Sequence, residues 1–142
     1  MVKRAGPGAA LKEMSGEHYL QIAIMTAIEG CLSDGSEKSL VLELLDQLIG
    51  LSEVHFLSEQ LLMRIHAYPA LAAHQQEHQR LTAEVRRIEQ AFASAGSEDL
   101  GQSVKSLKHW VIGHIQTMDH AFGQFLSTKM DLSSALIAAD AS

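Results

Sequence analysis

Four long stretches of this chain carry apolar residues at alternating steps of three and four, which places those side chains on one face of an α-helix. They cover about residues 11–32, 38–66, 70–93 and 98–128. In the fourth stretch the residues predicted to face the core include Val104, Leu107, Val111, Met118, Ala121 and Phe125. The chain has only two prolines, Pro7 and Pro69, and Pro69 ends the second stretch, while Ser97 is a candidate N-cap for the fourth. Because the connecting loops are short, the pattern predicts an all-α, up-down-up-down antiparallel four-helix bundle over about residues 11–128.

The whole chain, residues 1–142, is expected to form a single domain. A chain of 142 residues with 46% hydrophobic and 20% charged residues is long enough, and ordinary enough in composition, to fold around one core. The apolar pattern is absent at the start of the chain and weak after Lys129. We therefore expect a flexible N-terminal arm and a flexible C-terminal tail.

Charge and composition exclude several classes of partner. A net charge of -6, from 11 Lys and Arg against 17 Asp and Glu, argues against binding to nucleic acid. The longest apolar run, near residues 22–28, is too short to cross a bilayer, and residues 1–10 lack the apolar segment of a signal peptide. Cys31 is the only cysteine, so neither an internal disulfide nor a cysteine-rich metal site is available. We expect a cytoplasmic protein without a membrane partner.

Histidines occupy positions in the predicted core. Each of the four stretches has polar residues within its apolar stripe: His18, then His55 and Glu59, then His74 and His78, then His114. A single histidine on an apolar face is usually a hydrogen-bonded core residue. Buried polar groups are costly without partners, however, and here they converge from all four helices. A metal would satisfy them, since neutral imidazole and carboxylate are metal ligands.

The spacing of these residues suits ligands on one helix face. His55 and Glu59 are four residues apart, as are His74 and His78. Asp119 follows His114 by five residues, which on an α-helix is about 140° away from it. Periodicity alone therefore leaves Asp119 open as a ligand, although a local π-bulge would turn it toward the site.

The number and type of these groups favour two ions and favour iron. Five imidazoles and up to two carboxylates exceed the four ligands of a closed zinc site, and two ions sharing bridging carboxylates would use them all. Nitrogen donors with carboxylates suit iron better than magnesium or calcium. The sequence contains no His-Glu-x-x-His zinc motif and no Glu-x-x-His pair of the kind that ferritin-like bundles use.

The same residues resemble the hemerythrins in their bacterial form. The matching pieces span roughly residues 14–126: His18, HFLSEQLLM from His55, Tyr68-Pro69, HQQEH from His74, and WVIGHIQTMD from Trp110 to Asp119. Their order and spacing agree throughout. The resemblance implies that Asp119 is a ligand.

The resemblance also implies how the ligands are divided. One iron takes three histidines, the other takes two and keeps an open position, and two carboxylates bridge both ions. In that order the ligands are His74, His78 and His114, then His18 and His55, then Glu59 and Asp119. The cofactor it implies is a pair of iron ions, Fe2+ or Fe3+, with a bridging oxo or hydroxo group.

The function implied by the resemblance is reversible binding of dioxygen for storage, delivery or sensing, rather than catalysis. Azide or nitric oxide are other small ligands for such a site. Two alternatives stay open. One is an oxygen or redox sensor domain with a fused or partner signalling domain. The other is a di-iron enzyme that consumes peroxide or nitric oxide, and weak peroxidase or oxidase side activity would be compatible with the first function too.

Four residues depart from the family pattern. Ser15 stands where an acidic residue is usual, and Gln21 stands where an apolar residue is usual. Gln116 and Thr117 replace common apolar residues near the last ligands, and we expect both to face outward. Trp110, one turn before His114, is expected to pack over the site.

Overall fold

The computed structural model describes residues 7–95 and 100–140, and the regular elements of that part are all helices. The four long helices are α1 (Pro7–Asp34), α2 (Lys38–Ile65), α3 (Leu71–Ala95) and α4 (Leu100–His114). A π-helical turn, Ile115–Asp119, joins α4 directly to α5, His120–Asp140. Helix α4, the π-helical turn and α5 together make the fourth rod, and the predicted all-α four-helix bundle is confirmed.

The short loops determine which helices are adjacent in the bundle. Helix α1 packs against α2 and α4, and α3 likewise packs against α2 and α4. The loops at residues 35–37 and 66–70 are each too short to cross the bundle, so consecutive helices run antiparallel. All four rods therefore turn one face toward a common interior.

Two apolar clusters lie along that interior, with polar side chains between them. The larger apolar cluster consists of Met25, Ile28, Val41, Leu45, Leu48, Ile49, Phe56, Leu81, Val85, Ile88, Phe92, Leu100, Val104, Leu107 and Val111. The smaller apolar cluster consists of Met14, Met63, Phe122 and Leu126. On α1, His18 lies between Met14 of the smaller cluster and Met25 of the larger. The candidate site is therefore enclosed by apolar side chains at both ends.

The helix bounds differ from the sequence prediction mainly at the two ends of the bundle. Helix α1 begins at Pro7, four residues earlier than expected, at a position where proline needs no amide hydrogen bond. Helix α5 continues to Asp140 instead of ending near residue 128. The candidate N-cap Ser97 lies outside the described residues.

The largest error of the sequence analysis is in the register of the fourth rod after His114. Continued steps of three and four predicted Met118, Ala121 and Phe125 in the core. In the structure Ala121 is exposed, Met118 and Phe125 are partly exposed, and the buried residues are Phe122 and Leu126. The π-helical turn is the physical reason, because it accommodates one extra residue and shifts every later position by one.

Candidate metal centre

The structure brings the seven candidate ligands together in the interior, between the two apolar clusters. The candidate ligands form two groups, and the ligand atoms within each group all lie within 4.8 Å of one another. Both groups include the same two carboxylates. Besides Glu59 and Asp119, the three-histidine group contains His74, His78 and His114, and the two-histidine group contains His18 and His55. Six of the seven residues are buried, whereas the side chain of His18 is 14% exposed. The seven side chains predicted to converge therefore do lie together in the bundle interior.

Glu59, on α2, turns one carboxylate oxygen toward each histidine group. Its Oε1 lies 2.7 Å from Nε2 of His74 and 3.1 Å from Nε2 of His78. Its Oε2 lies 3.5 Å from Nε2 of His55. One carboxylate thus faces both groups at once.

Asp119 has the same divided arrangement from the opposite side of the bundle. Its Oδ1 lies 2.8 Å from Nε2 of His74 and 3.0 Å from Nε2 of His114. Its Oδ2 lies 2.9 Å from Nε2 of His18. When two ligand atoms bind the same ion at about 2.1 Å and at right angles, they lie about 3 Å apart. These spacings suit carboxylates that bridge two ions.

Asp119 reaches the interior because the π-helical turn ends on it. On an α-helix it would point about 140° away from His114, but a π-helix brings positions five apart onto one face. The turn covers Ile115–Asp119, and both His114 and Asp119 are buried. The π-bulge that would turn Asp119 toward the site is therefore present in the structure.

Buried nitrogen and oxygen atoms without aligned hydrogen bonds test whether a metal fits. Among the described residues, Nε2 of His18, His55, His78 and His114, both oxygens of Glu59 and Oδ2 of Asp119 are buried without an aligned hydrogen bond. These are the atoms that converge in the two groups. Unpaired buried polar atoms cost about 1–3 kcal/mol each, so the arrangement is unfavourable unless something binds them. Metal ions fit this donor set of imidazoles and carboxylates.

Electrostatics keep most of these groups in the form that binds metal. Burial alone would raise the pKa of Asp119, but the imidazoles of His114, His18 and His74 outweigh it and lower that pKa far below its ordinary value. The pKa of Glu59 is also lowered, because contacts with His74 and His78 outweigh burial. Ionised carboxylates are the ligand form, and metal binding requires it.

The histidines differ in their protonation. Burial lowers the pKa of His55 and of His78, which favours the neutral imidazole that a metal needs. Burial also works to lower the pKa of His74, but its contacts with Asp119 and Glu59 raise it to about 9. Without metal, a proton on His74 therefore partly neutralises the two carboxylates, and a metal ion would displace it.

Two candidate ligands, His55 and His78, have hydrogen-bond partners behind their rings that were not predicted from the sequence. Nδ1 of His55 lies 3.1 Å from Oε2 of Glu17 on α1, and Nδ1 of His78 lies 3.0 Å from Oε1 of Gln60 on α2. Such bonds fix the ring so that Nε2 faces the interior. Both partners directly adjoin a ligand in the sequence, but their role depends on helix packing, which no spacing rule reveals.

Aromatic and polar side chains pack around the candidate ligands. The ring that covers a site histidine is Phe56, which stacks on His78 with centroids 3.9 Å apart. Trp110 packs against the larger apolar cluster and donates a hydrogen bond to Glu77. Gln21, noted as a departure, is buried and donates to Oγ of Ser52 at 3.0 Å, so its amide has a partner inside the bundle.

A pocket connects the two-histidine group with the surface. Its volume is about 360 Å³, and its lining includes His18, Glu59 and Asp119 together with the exposed residues Ser15, His120, Gln124 and Ser127. Gln116 and Thr117 are exposed, as predicted, and do not line it. This pocket therefore opens the two-histidine group to the surface between α1 and α5. A second surface pocket, of about 410 Å³, has His78 of the three-histidine group in its lining.

These features define a class of protein: a four-helix bundle whose core carries a histidine and carboxylate metal site. Comparison with known families agrees, since residues 9–126 match the Hemerythrin HHE cation binding domain. That match covers most of the chain, and the chain belongs to the hemerythrin family. Membership implies a non-haem iron protein with an oxygen-related function.

Two relatives illustrate the distance within the family. The chain is 30% identical to a bacteriohemerythrin of Ralstonia nicotianae over 108 residues, which is 75% of this chain and 77% of that protein. It is 30% identical to a bacteriohemerythrin of Methylococcus capsulatus over 83 residues, 58% of this chain. The match spans 63% of the Methylococcus protein, slightly less than two thirds.

Two further comparisons yield only negative findings. No solved structure matches the chain with significance. Among the helices of residues 7–95 and 100–140, none combines the length and the apolar character needed to span a membrane.

Proposed function

We propose that this protein binds dioxygen reversibly at a pair of iron ions. The observation that carries the proposal is the unequal division of the histidines combined with the position of the pocket. Three imidazoles lie on one side of the shared carboxylates Glu59 and Asp119, and two imidazoles lie on the other side. The pocket between α1 and α5 reaches His18 and both carboxylates, so an ion on the two-histidine side would combine fewer protein ligands with access for a small molecule.

The proposed ligand set follows the two groups. Three imidazoles would hold the first iron and two would hold the second, and both ions would share Glu59 and Asp119 as ligands. In that order the imidazoles belong to His74, His78 and His114, then to His18 and His55. Iron ions bound there would supply the electrons for dioxygen binding. The divided carboxylate contacts support this assignment, and family membership supports iron.

The chain's own residues favour binding over turnover. Apolar clusters close the site at both ends, and Phe56 covers His78. Water and protons are therefore excluded from most directions, which slows irreversible oxidation of a bound ligand. Azide and nitric oxide would fit the same open side, because each is small enough for the pocket.

The test is iron content together with an optical spectrum on the full chain. Protein reduced without air should contain two irons per chain and should gain a visible ligand-to-iron charge-transfer band on exposure to dioxygen. Removal of dioxygen should abolish that band, and several cycles should be possible. Two irons with immediate, irreversible oxidation and no reversible band would contradict the proposal.

A second candidate function rests on the polarity of the pocket mouth. Ser15, His120, Gln124 and Ser127 line it, so water and protons have one direct route to the two-histidine side. That route favours turnover of peroxide or nitric oxide. The experiment is to mix the reduced protein with peroxide and follow its consumption. Repeated turnovers per iron would support this function, and a single stoichiometric oxidation would exclude it.

A further inference from the structure

A buried amide and a buried hydroxyl form a pair beside the metal centre, on the side that faces the larger apolar cluster. Gln21 on α1 is 2% exposed and Ser52 on α2 is 5% exposed. Nε2 of Gln21 donates a hydrogen bond to Oγ of Ser52 at 3.0 Å, and within the described residues this is the one side-chain hydrogen bond of the amide. A carboxamide nitrogen carries two hydrogens. In that part of the chain, one amide N–H and the hydroxyl hydrogen of Ser52 are therefore left to donate.

These two polar groups line a small space inside the bundle, here called the inner cavity. Its volume is about 10 Å³, close to the minimum that holds one water molecule. The rest of its lining is apolar apart from Thr82, whose hydroxyl already donates to the backbone carbonyl of His78. The lining contains no histidine, cysteine or carboxylate. A cavity with donors on one apolar wall suits a small molecule that carries an acceptor atom.

The inner cavity adjoins the metal centre. Each of the four rods contributes a lining residue that lies three positions from a candidate ligand. These residues are Gln21 beside His18, Ser52 beside His55, Leu81 beside His78, and Val111 beside His114. Three residues of an α-helix rise about 4.5 Å, slightly less than one turn. Phe56 also lines the inner cavity, and its ring stacks on the ring of His78. The inner cavity therefore lies about one helical turn from the ligand set.

The two carboxylates lie on the opposite side of the imidazoles. On α2, Glu59 follows His55 in the direction of the smaller apolar cluster. On the fourth rod, Asp119 follows His114 in the same direction. An ion held by these groups would have its carboxylate ligands on the side of the smaller apolar cluster and no ligand from the lining of the inner cavity. The side toward Gln21 is the one left for an added ligand.

We propose that Gln21 donates a hydrogen bond to a small ligand bound at the two-histidine group, and so determines which ligands the site retains. This role rests on the proposed function, because it requires iron and a small ligand at that group. With a metal bond of about 2.1 Å, a ligand of two or three atoms spans most of the single turn to the inner cavity. The ligand needs an acceptor atom at its far end, which dioxygen and azide both have. Ser52 holds the amide in place by accepting its other hydrogen.

The donor gives this chain a specificity that an apolar lining would not provide. The family pattern usually has an apolar residue at the position of Gln21. With such a residue, the far acceptor atom of a bound ligand would be buried without a partner, which is costly. A glutamine instead favours ligands with a far acceptor atom over apolar molecules of the same size.

Azide binding to the diferric full chain tests the role of Gln21. Absorbance titration gives the dissociation constant, and infrared spectroscopy of bound azide in ordinary and heavy water reports a hydrogen bond from an exchangeable N–H. Gln21→Met keeps the length of the side chain but removes the donor. It should raise the dissociation constant about tenfold and abolish the heavy-water shift of the azide band. The matched control Gln47→Met, at an exposed position on α2, should leave both unchanged.

The double variant Gln21→Met/Ser52→Ala separates this role from a loss of folding. It removes both partners of a buried hydrogen bond, which is close to neutral for stability. Its urea unfolding without metal and its iron content should match the parent, while azide binding stays as weak as in Gln21→Met.

The outcomes distinguish this role from the proposed function. Parental azide affinity and an unchanged heavy-water shift in Gln21→Met would overturn the role of Gln21 and leave the proposed function intact. Weaker azide binding in Gln124→Met alone, in the pocket between α1 and α5, would place the ligand on the opposite side and would also overturn it. A parent chain that binds two irons but neither azide nor dioxygen would overturn both.

Discussion

The larger apolar cluster and the metal centre are built from the same four rods, but they follow different rules. In the larger apolar cluster, residues at regular steps of three and four are the buried ones, as with Val41, Leu45 and Leu48 on α2. In the metal centre the regular spacing breaks at the π-helical turn, and the buried residues include a carboxylate from each of two opposite helices. Regular apolar packing stabilises the larger apolar cluster. The metal centre instead brings candidate ligands together, which lowers the stability of the fold.

The comparison shows where the free energy of folding comes from. Burial of apolar side chains stabilises the larger apolar cluster without any cofactor. The metal centre, in contrast, buries two carboxylates and several unpaired nitrogens, which is unfavourable until metal binds. Variants in the two regions should therefore separate stability from metal binding.

The largest effect is expected from Glu59→Gln. The amide cannot present two anionic oxygens, so both histidine groups lose their shared ligand and iron content should fall from two ions to less than one per chain. Metal analysis by mass spectrometry measures this directly. Glu43→Gln, an exposed position on the same helix, is the control and should retain both ions. Full iron content in Glu59→Gln would contradict the bridging role.

Leu45→Ala should lower the stability of the fold without changing its iron content. Leu45 is fully buried in the larger apolar cluster, and such truncations cost about 2–5 kcal/mol through lost burial and a cavity. Urea unfolding measures the loss, and iron content should remain two ions per chain. Leu40→Ala, at an exposed position on the same helix, should cost much less. Loss of iron from Leu45→Ala at native temperature would show that the two regions are not independent.

The pH dependence of the metal-free protein should reveal the charge stored in the metal centre. The pKa of His74 is raised to about 9 from its ordinary 6.5, so its proton stabilises the fold fully below pH 6.5. That stability is lost as pH rises through about 9, and the loss is at most about 3 kcal/mol. Urea unfolding at several pH values checks this. Metal-loaded protein should not show the decline, and a flat profile for the metal-free protein would contradict it.

Glu17→Ala should weaken metal binding without removing a ligand. Glu17 holds Nδ1 of His55, and loss of such a partner lowers metal affinity about 10–100-fold. Competition with a chelator of known affinity measures the change. Glu17→Gln keeps an acceptor oxygen and should recover most of the affinity. If Glu17→Gln behaves like Glu17→Ala, the charge matters more than the orientation of the ring.

The smallest effect is expected at the loops, outside both regions. Ala67 has a positive φ of 53° where glycine is favoured, so Ala67→Gly should stabilise the fold by up to about 1 kcal/mol. Gly35 has a φ of 69°, and Gly35→Ala should destabilise by a similar amount. Thermal unfolding measures both, and neither should change iron content. A loss of stability in Ala67→Gly would show that the backbone at Ala67 is not strained.

Sequence alone was sufficient for the parts of the molecule that obey a fixed spacing. Pairs four residues apart, such as His55 with Glu59 and His74 with His78, share a face on any α-helix. Asp119 was different, because its direction depends on a π-helical turn that spacing allows but does not require. Resemblance to the hemerythrins supplied that residue, and the structure supplies the geometry behind it.

Other features could not be predicted because they depend on contacts between helices. Glu17 and Gln60 are ordinary helix residues until α1, α2 and α3 pack and bring them to the backs of two imidazoles. The burial of Phe122 and Leu126 in place of Ala121 and Phe125 has the same origin, since one extra residue in the turn changes the register.

The most direct test of the central claim is a titration of the metal-free chain with Fe2+ without air, followed by calorimetry or absorbance. Two carboxylates shared by two histidine groups predict saturation at two equivalents per chain. Glu59→Gln should lower that number to less than one, as its iron content should show. Saturation of the unmodified chain at one equivalent would contradict the account, because it would leave one histidine group without a metal.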